Sequence, residues 1–316
     1  SMINFPHSVD DSYKRSKVHI RKTPLEYSPY LSNLINGDVY LKLDNVQRTG
    51  SFKFRGAISK MTSLSDKEKV NGVVTASTGN HGAACSLAMS LLGIKGKIVV
   101  PENVHKNKVE NILNLGGEVE YFGDDCIHAE ERAQEISKET GAVYISPYND
   151  EAIVCGQATL GLEIEQELKN VDSTFISVGG GGLMSGTCIT TRSLLPNARL
   201  FGAEPKGADD AYRSLKEGKM LPQENPNTIC DGLLTSMGEN TWNILKDHLN
   251  GIYTVSDDEV IKAMKLIWER MKIIIEPSCA TPVAAVMSPE FKELKGIEKV
   301  GIILTGGNID LSKIPF

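Results

Sequence analysis

The sequence predicts an α/β protein with two parallel-type α/β domains, each sheet covered by helices on both faces. Three observations predict it. Short apolar runs recur along the chain and are separated by amphipathic stretches of helical spacing. Strand, helix, strand at this spacing is the pattern of parallel sheets covered by helices on both faces. Several of the apolar runs end in glycine-rich turns that lead directly into a helical pattern.

Taken in order, "DVYLKL" (38–43) is the first strand and "GVVTAS" (72–77) the second, followed by the helical "GAACSLAMSLLG". "KGKIVVP" (95–101) is a third strand, leading to the helix "KNKVENILNLGG". "EVEYFG" is a fourth, followed by the helix "IHAEERAQEISKETG", and "AVYISP" is a fifth. "TFISVGGGG" and "ARLFGAEP" follow through further helical stretches, and "KVGIILTGGN" is a last buried strand. The strands between about 72 and 147 form a compact set. This predicts a small domain over 63–149, set into a large domain built from 1–62 and 150–316. Ligands in such folds lie beyond the carboxyl ends of the strands, here in the interdomain cleft.

Composition bounds the function. The net charge is −6 over 316 residues with no long basic block, which argues against nucleic acid as a partner. No apolar run approaches the ~20 residues of a membrane span, and "SMINFPHSVDDSYKRSK" holds no apolar core of a signal peptide. Cys85, Cys126, Cys155, Cys188, Cys230 and Cys279 are widely spaced with no C-x-x-C pair. That pattern predicts reduced thiols and a cytoplasmic location rather than a disulfide framework or zinc site.

Four segments carry the chemistry. "SFKFRG" (51–56) sets Lys53 between two phenylalanines. The plain reading is a lysine whose stem lies along apolar surface; the sharper one is an amine whose pKa burial lowers, making it a reagent. "SVGGGGLMSG" places Gly179, Gly180, Gly181 and Gly182 between a buried strand and a helix start, where bare backbone N–H groups form an anion nest suited to a phosphate. It matches neither G-x-G-x-x-G nor a P-loop. "STGNHG" (77–82) gathers two hydroxyls, an amide and an imidazole on one strand-to-helix turn, where they would serve equally as helix caps. "LTGGN" (304–308) presents Thr305 at the end of the last strand. A phosphate-bearing aldehyde cofactor satisfies all four: the lysine forms a Schiff base with it and the nest holds its phosphate.

These segments do not stand alone. "KTPLEYS", "QRTGSFKFRGA", "STGNHG", "IVVPE", "GGEVEYFG", "SPYNDE", "GQATLGLEI", "VGGGGLMSG", "AEPKGADDAY", "TICDGL", "IWERMKIIIEPSCA" and "LTGGN" run in order over nearly the whole chain. In that order they resemble the fold type II (β-family) pyridoxal 5′-phosphate (PLP) enzymes, in the branch of serine racemases and serine/threonine dehydratases. The resemblance implies that Lys53 is the Schiff-base lysine and the base on one cofactor face, and that Phe52 packs near the ring. It implies that Gly179 to Gly182, with Leu183, bind the phosphate. Asn80 is expected on the ring 3′ oxygen and Thr305 at the pyridine nitrogen. Ser77, Thr78, Asn80 and His81 are expected to hold the substrate carboxylate with loop amides. Glu204, the carbonyl of Ala208 and Asp210 match a divalent-cation site of this branch, hard oxygen ligands suited to Mg²⁺, Ca²⁺ or Mn²⁺. The resemblance also implies a homodimer and a small amino-acid substrate.

The chain departs from the pattern at Thr78, where the racemases of the branch carry a serine that serves as acid/base on the face opposite the lysine. Elimination needs only the lysine, and the β-branch of threonine restricts χ1. The first expectation is therefore β-elimination from a β-hydroxy amino acid such as L-serine, L-threonine or threo-3-hydroxyaspartate, giving a 2-oxo acid and ammonia. The alternative is a racemase using Lys53 and Thr78 as its pair. A non-catalytic amino-acid-binding protein is the third class, against which the intact lysine and nest count. A substrate-side arginine of the branch falls at Ala129 here, with His128 and Arg132 nearby, which leaves the β-substituent open. Arg48, Thr49, Lys272 and Asn308 match an ATP effector site of the branch. Ala83 and Leu115 do not, so weak or absent ATP control is expected.

Overall fold

The structure, a computed structural model, describes residues 9–316. Ten strands form two sheets: β1 (Leu25–Tyr27), β2 (Asp38–Leu43), β3 (Val73–Ala76), β4 (Gly96–Val100), β5 (Val119–Tyr121), β6 (Val143–Tyr144), β7 (Ser173–Ser177), β8 (Arg199–Pro205), β9 (Gly251–Val255) and β10 (Lys299–Leu304). The six-stranded sheet runs β1-β2-β10-β7-β8-β9, and the four-stranded sheet runs β5-β4-β3-β6. Every pairing is parallel except that of β1 with β2.

All strands expected from the sequence are present, and the α/β class holds. Two elements were not expected. β1 is three half- to fully exposed residues, "LEY", pairing antiparallel at an edge, so no apolar run announces it. β9, "GIYTV", is half-buried along most of its length for the same edge-strand reason. The central strands behave as predicted: β7 is buried throughout, and β10 from its second residue onward.

The helix Lys53–Thr62 joins the two sheets. Phe54, Ile58 and Met61, spaced i, i+4, i+7, form its apolar stripe and pack with Ile98, Ile112 and Ile153 in the core beside the four-stranded sheet. Its other side lies against the helix Glu151–Glu167 so closely that a Cβ at Gly156 would stand 2.5 Å from the Arg55 carbonyl. Between these helices and β2 sits a buried charge cluster. The Arg55 guanidinium donates to Asp44 at 2.7 and 2.9 Å and to Glu163 at 2.7 and 3.1 Å. Lys42 also donates to Glu163, at 2.9 Å. Bidentate pairing on both carboxylates satisfies the arginine's donor fork. The helix that starts at Lys53 is thereby tied to the large sheet two residues into its first turn.

Candidate active site

Lys53 opens its helix at the junction of the two sheets. The preceding Ser51 bridges to Gly306, and the Phe52 N–H donates to the Thr305 carbonyl at 3.0 Å, so the lysine segment is fastened to the end of β10. The Lys53 amine donates to the Pro147 carbonyl at 2.9 Å and lies 5.1 Å from the centre of the Phe52 ring. Burial lowers its pKa to about 8, because removal from water penalises the ammonium. Near neutral pH an appreciable fraction is the nucleophilic amine.

Tyr148 follows Pro147, and its ring covers the glycine turn. A Cβ at Gly180 would fall 2.2 Å from that ring, and one at Gly182 would fall 3.2 Å from the Tyr148 Cα. Gly181 takes φ +91°, left-handed, just ahead of the helix Gly182–Leu194, with Leu183 buried behind it. The Thr241 hydroxyl donates to the Gly180 carbonyl at 2.7 Å, fixing the turn from outside. Gly180 is thus required by the ring on top of it, and Gly181 by its backbone shape.

Asn80 opens the helix Asn80–Leu92, with Ser77, Thr78 and Gly79 in the turn before it. Its amide donates to Glu276 at 2.9 Å, and its side-chain oxygen accepts from Asn308 at 2.8 Å. The Asn308 N–H in turn donates to the second Glu276 oxygen at 2.9 Å. Burial pushes the Glu276 carboxyl up to about 7. Gly82 cannot be larger, since a Cβ would stand 2.5 Å from the Ser77 carbonyl, which is how the turn stays tight. Thr78 is half-buried, and its side chain makes no hydrogen bond among the described residues. Thr305 is buried beside Cys279.

His81 follows Asn80 in that helix. Its imidazole points away from the turn into the protein, pairing with the Thr75 hydroxyl at 3.0 Å and the Ile145 carbonyl at 3.2 Å. Burial and the nearby Lys53 charge push it down to about 3, so it is neutral. Only its backbone remains for a ligand at the turn. His128 and Arg132 are also committed elsewhere, to Asp125 and to Glu120, Glu135 and Glu139.

Glu204 on β8 and Asp210 at the start of the helix Asp210–Glu217 are both fully buried, with the Ala208 backbone between them in sequence. Glu204 accepts from the Tyr212 and Ala211 N–H groups at 2.8 and 3.1 Å, and Asp210 accepts from Met237 at 3.2 Å. The other Asp210 oxygen, Oδ1, is buried without a partner. Burial raises both carboxyls, and Asp210's charge raises Glu204 further. Two adjacent buried carboxylates with an orphaned oxygen suit a hard cation. Among the described residues no group of three or more acidic, His or Cys side chains converges.

Among the residues matched to an effector site, Thr49 and Asn308 meet, Asn308 donating to the Thr49 carbonyl at 2.7 Å, and Thr49 takes φ +64°, unusual for a β-branched residue. Arg48 donates instead to the His19 carbonyl at 2.9 Å. Surface hollows of about 250 and 500 Å³ lie elsewhere and include none of the site residues, so the geometry around Lys53, not cavity size, marks the site. No helix among the described residues is long and apolar enough to cross a membrane. Sequence reasoning missed Tyr148 and Glu276. A charged residue at the end of the apolar run "IIIEPSC" was the available signal for Glu276; Tyr148 had only its place in the loop after a strand.

The residues present fit PLP: a glycine cradle that a Cβ would fill, a helix N-terminus behind it, and a buried amine of lowered pKa beside it. Comparison with known proteins agrees. A family model described as "Pyridoxal-phosphate dependent enzyme" matches residues 17–306. A serine racemase of Dictyostelium discoideum is 44% identical over 308 residues, 97% of this chain and 95% of that protein. A β-hydroxyaspartate dehydratase of Paracoccus denitrificans is 39% identical over 306 residues, 96% of each. The solved structure of maize serine racemase superposes with a TM-score of 0.94 at 36% identity, covering 96% of this chain and 93% of that one.

Proposed function

The chain belongs to the pyridoxal-phosphate dependent enzymes, and on that premise we propose that it is an ammonia-lyase that dehydrates and deaminates a β-hydroxy amino acid. When bound, the cofactor draws electrons from the substrate's α-carbon. Lys53 would carry it, Phe52 would flank the ring, and the amides of Gly179 to Gly182 and Leu183 would hold the phosphate. Asn80 and Thr305 would address the ring, and the turn Ser77–Thr78–Gly79–Asn80–His81 would hold the substrate carboxylate.

The Lys53 amine then takes the α-proton, which its pKa of about 8 suits near neutral pH. The Cα–H and Cβ–OH bonds break, a Cα=Cβ bond forms, and water leaves. The released enamine takes up water to give the 2-oxo acid and ammonia. L-serine, L-threonine and threo-3-hydroxyaspartate all carry the required β-hydroxyl. The observation that carries elimination over racemisation is Thr78: among the described residues its hydroxyl has no side-chain or backbone partner to activate it as a second base. Racemisation with Lys53 and Thr78 is the second reading, favoured by the likeness to serine racemases.

Further parts of the reading have narrower support. A divalent cation at Glu204, Asp210 and the Ala208 carbonyl is supported by the orphaned Asp210 oxygen. Domain boundaries near 62 and 150 are supported by the second sheet drawing all its strands from 73–144. A cytoplasmic location accords with the wide spacing of the cysteines, five of which are buried. A homodimer and weak ATP control rest on the family pattern. The test is one incubation with L-serine, Mg²⁺ and PLP, reading pyruvate and D-serine from the same tube. Pyruvate in excess supports the lyase; D-serine at or above pyruvate replaces it with the racemase.

A further inference from the structure

The segment that joins β6 to the helix Glu151–Glu167 is built as a strap across the site. Its two ends are locked by their own side chains. Ser146 Oγ accepts from the Asn149 N–H at 2.9 Å, and Asp150 Oδ1 accepts from the Ala152 and Ile153 N–H groups at 2.9 and 3.2 Å. The other Asp150 oxygen pairs with Lys60 at 2.8 Å. Between these ends each residue reaches the site or its support. The Pro147 carbonyl accepts from the Lys53 amine at 2.9 Å. The Tyr148 ring stands 2.2 Å from where a Cβ of Gly180 would be. The Asn149 side-chain oxygen accepts from the Asn240 N–H at 2.9 Å, and a Cβ at Gly238 would fall 2.3 Å from that side chain.

These contacts close a circuit. Asn240 lies in the first turn of the helix Glu239–His248. The next residue, Thr241, is fully buried and donates to the Gly180 carbonyl at 2.7 Å. A Cβ at Gly181 would stand 3.0 Å from the Thr241 Cβ. The glycine turn is therefore gripped by Tyr148 and by Thr241, and Asn149 joins the two grips through Asn240. The same strap holds the Lys53 amine. A connection that only carried the chain from β6 to the next helix would need the locked ends and none of the contacts between them.

We propose that Tyr148 and Asn149 are positioning residues that set the separation of the Lys53 amine from the glycine turn. The proposal rests on the PLP-enzyme reading above and adds positioning residues to that same site. A rigid ring bearing both an aldehyde and a phosphate is held at two points. Its affinity depends on the spacing of those points being set before it arrives. Tyr148 acts through its ring, which meets Gly180, and Asn149 through one acceptor oxygen. Neither is asked to touch the reacting atoms.

The test removes PLP from the full chain and titrates it back, following the visible absorption of the bound cofactor. The melting temperature of each cofactor-free form is measured alongside. Asn149→Ala removes the acceptor and is expected to raise the Kd for PLP by about 10-fold. Tyr148→Ala is expected to act in the same direction, and serves alone should Asn149→Ala fold poorly. Tyr148→Phe keeps the ring and is expected to bind as wild type does. Because both residues act on one turn, the double variant is expected to lose less than the two single losses combined. Pyridoxal, which lacks the phosphate, engages the amine alone and is expected to bind wild type and Asn149→Ala alike. A lowered melting temperature with unchanged PLP affinity would leave the strap a merely structural role and overturn the proposal, as would equal losses for PLP and pyridoxal. Failure of wild type to develop a cofactor band overturns the PLP reading, and this proposal falls with it.

Discussion

Asn80 and Glu276 lie 196 positions apart in sequence, yet the amide of one donates to the buried carboxylate of the other at 2.9 Å. The same carboxylate accepts from the Asn308 backbone, and Asn308 returns to Asn80. The residue expected to address the cofactor ring is therefore held from behind by an acid whose pKa burial pushes up to about 7. Because that value lies above the ordinary 4.5, folding favours the protonated form. The stability linked to it is fully present below the unfolded value and is lost as pH rises through about 7. The melting temperature of wild type is expected to fall from roughly pH 5 to pH 8 more steeply than that of Glu276→Gln, measured side by side. Parallel pH profiles would remove Glu276 from this role.

The tyrosine ring on Gly180 makes a second prediction. Gly180→Ala puts a methyl group 2.2 Å from the Tyr148 ring, so ring or turn must move. Cofactor affinity, read by titration of the visible absorption, is expected to fall, and stability to drop by about 1–3 kcal/mol. The double variant Gly180→Ala with Tyr148→Ala removes the collision and should recover part of the loss. No recovery would show that the turn itself, not the ring, refuses the side chain.

Thr78 separates the two candidate reactions. Thr78→Ala is expected to keep pyruvate release from L-serine within about 10-fold of wild type, because Lys53 supplies the only base that elimination requires. D-serine should vanish in that variant and increase in Thr78→Ser, where χ1 is less restricted. Chiral chromatography of the product mixture checks both. Loss of pyruvate in Thr78→Ala would make the hydroxyl part of the elimination machinery.

The Glu204–Asp210 pair predicts a response to chelation. With a cation present both carboxylates can ionise; without one, burial and mutual repulsion work against it. EDTA is expected to lower the melting temperature of wild type and added Mg²⁺ to restore it. Asp210→Asn leaves an amide beside a single acid, and calorimetry should find it insensitive to both additions.

The charge cluster behind Lys53 predicts a large structural cost. Arg55→Met leaves Asp44 and Glu163 buried with half their partners gone, a loss of about 3–5 kcal/mol by chemical denaturation. Arg55→Lys should not rescue it fully, since an ammonium cannot reproduce two bidentate contacts.

What the sequence revealed follows from how local each signal is. β7 and β10 were readable because both faces are covered and the residues say so; β1 and β9 were not, because edge strands need no apolar run. Lys53, the four glycines and Asn80 were readable because their chemistry resides in contiguous motifs. Tyr148 and Glu276 act through partners far along the chain, and His81 turned inward because Thr75 and Ile145 accept it there. Pairings of this range are set by the packing of the two sheets against one helix, which no window of sequence contains.

The strand order has a consequence for how the protein is made. β10 lies between β2 and β7 at the centre of its sheet, although it is the last strand to leave the ribosome. A nascent chain can pair all four strands of the smaller sheet once residue 144 has emerged, but β2 waits unpaired on its inner edge for more than half of synthesis. Long-range parallel pairing of this kind is slow, and an open edge in the interval invites association with other chains. The same late arrival brings Thr305 and Asn308 to the lysine segment, so a chain stalled before β10 holds Lys53 and its glycine turn without the strand that fastens them together.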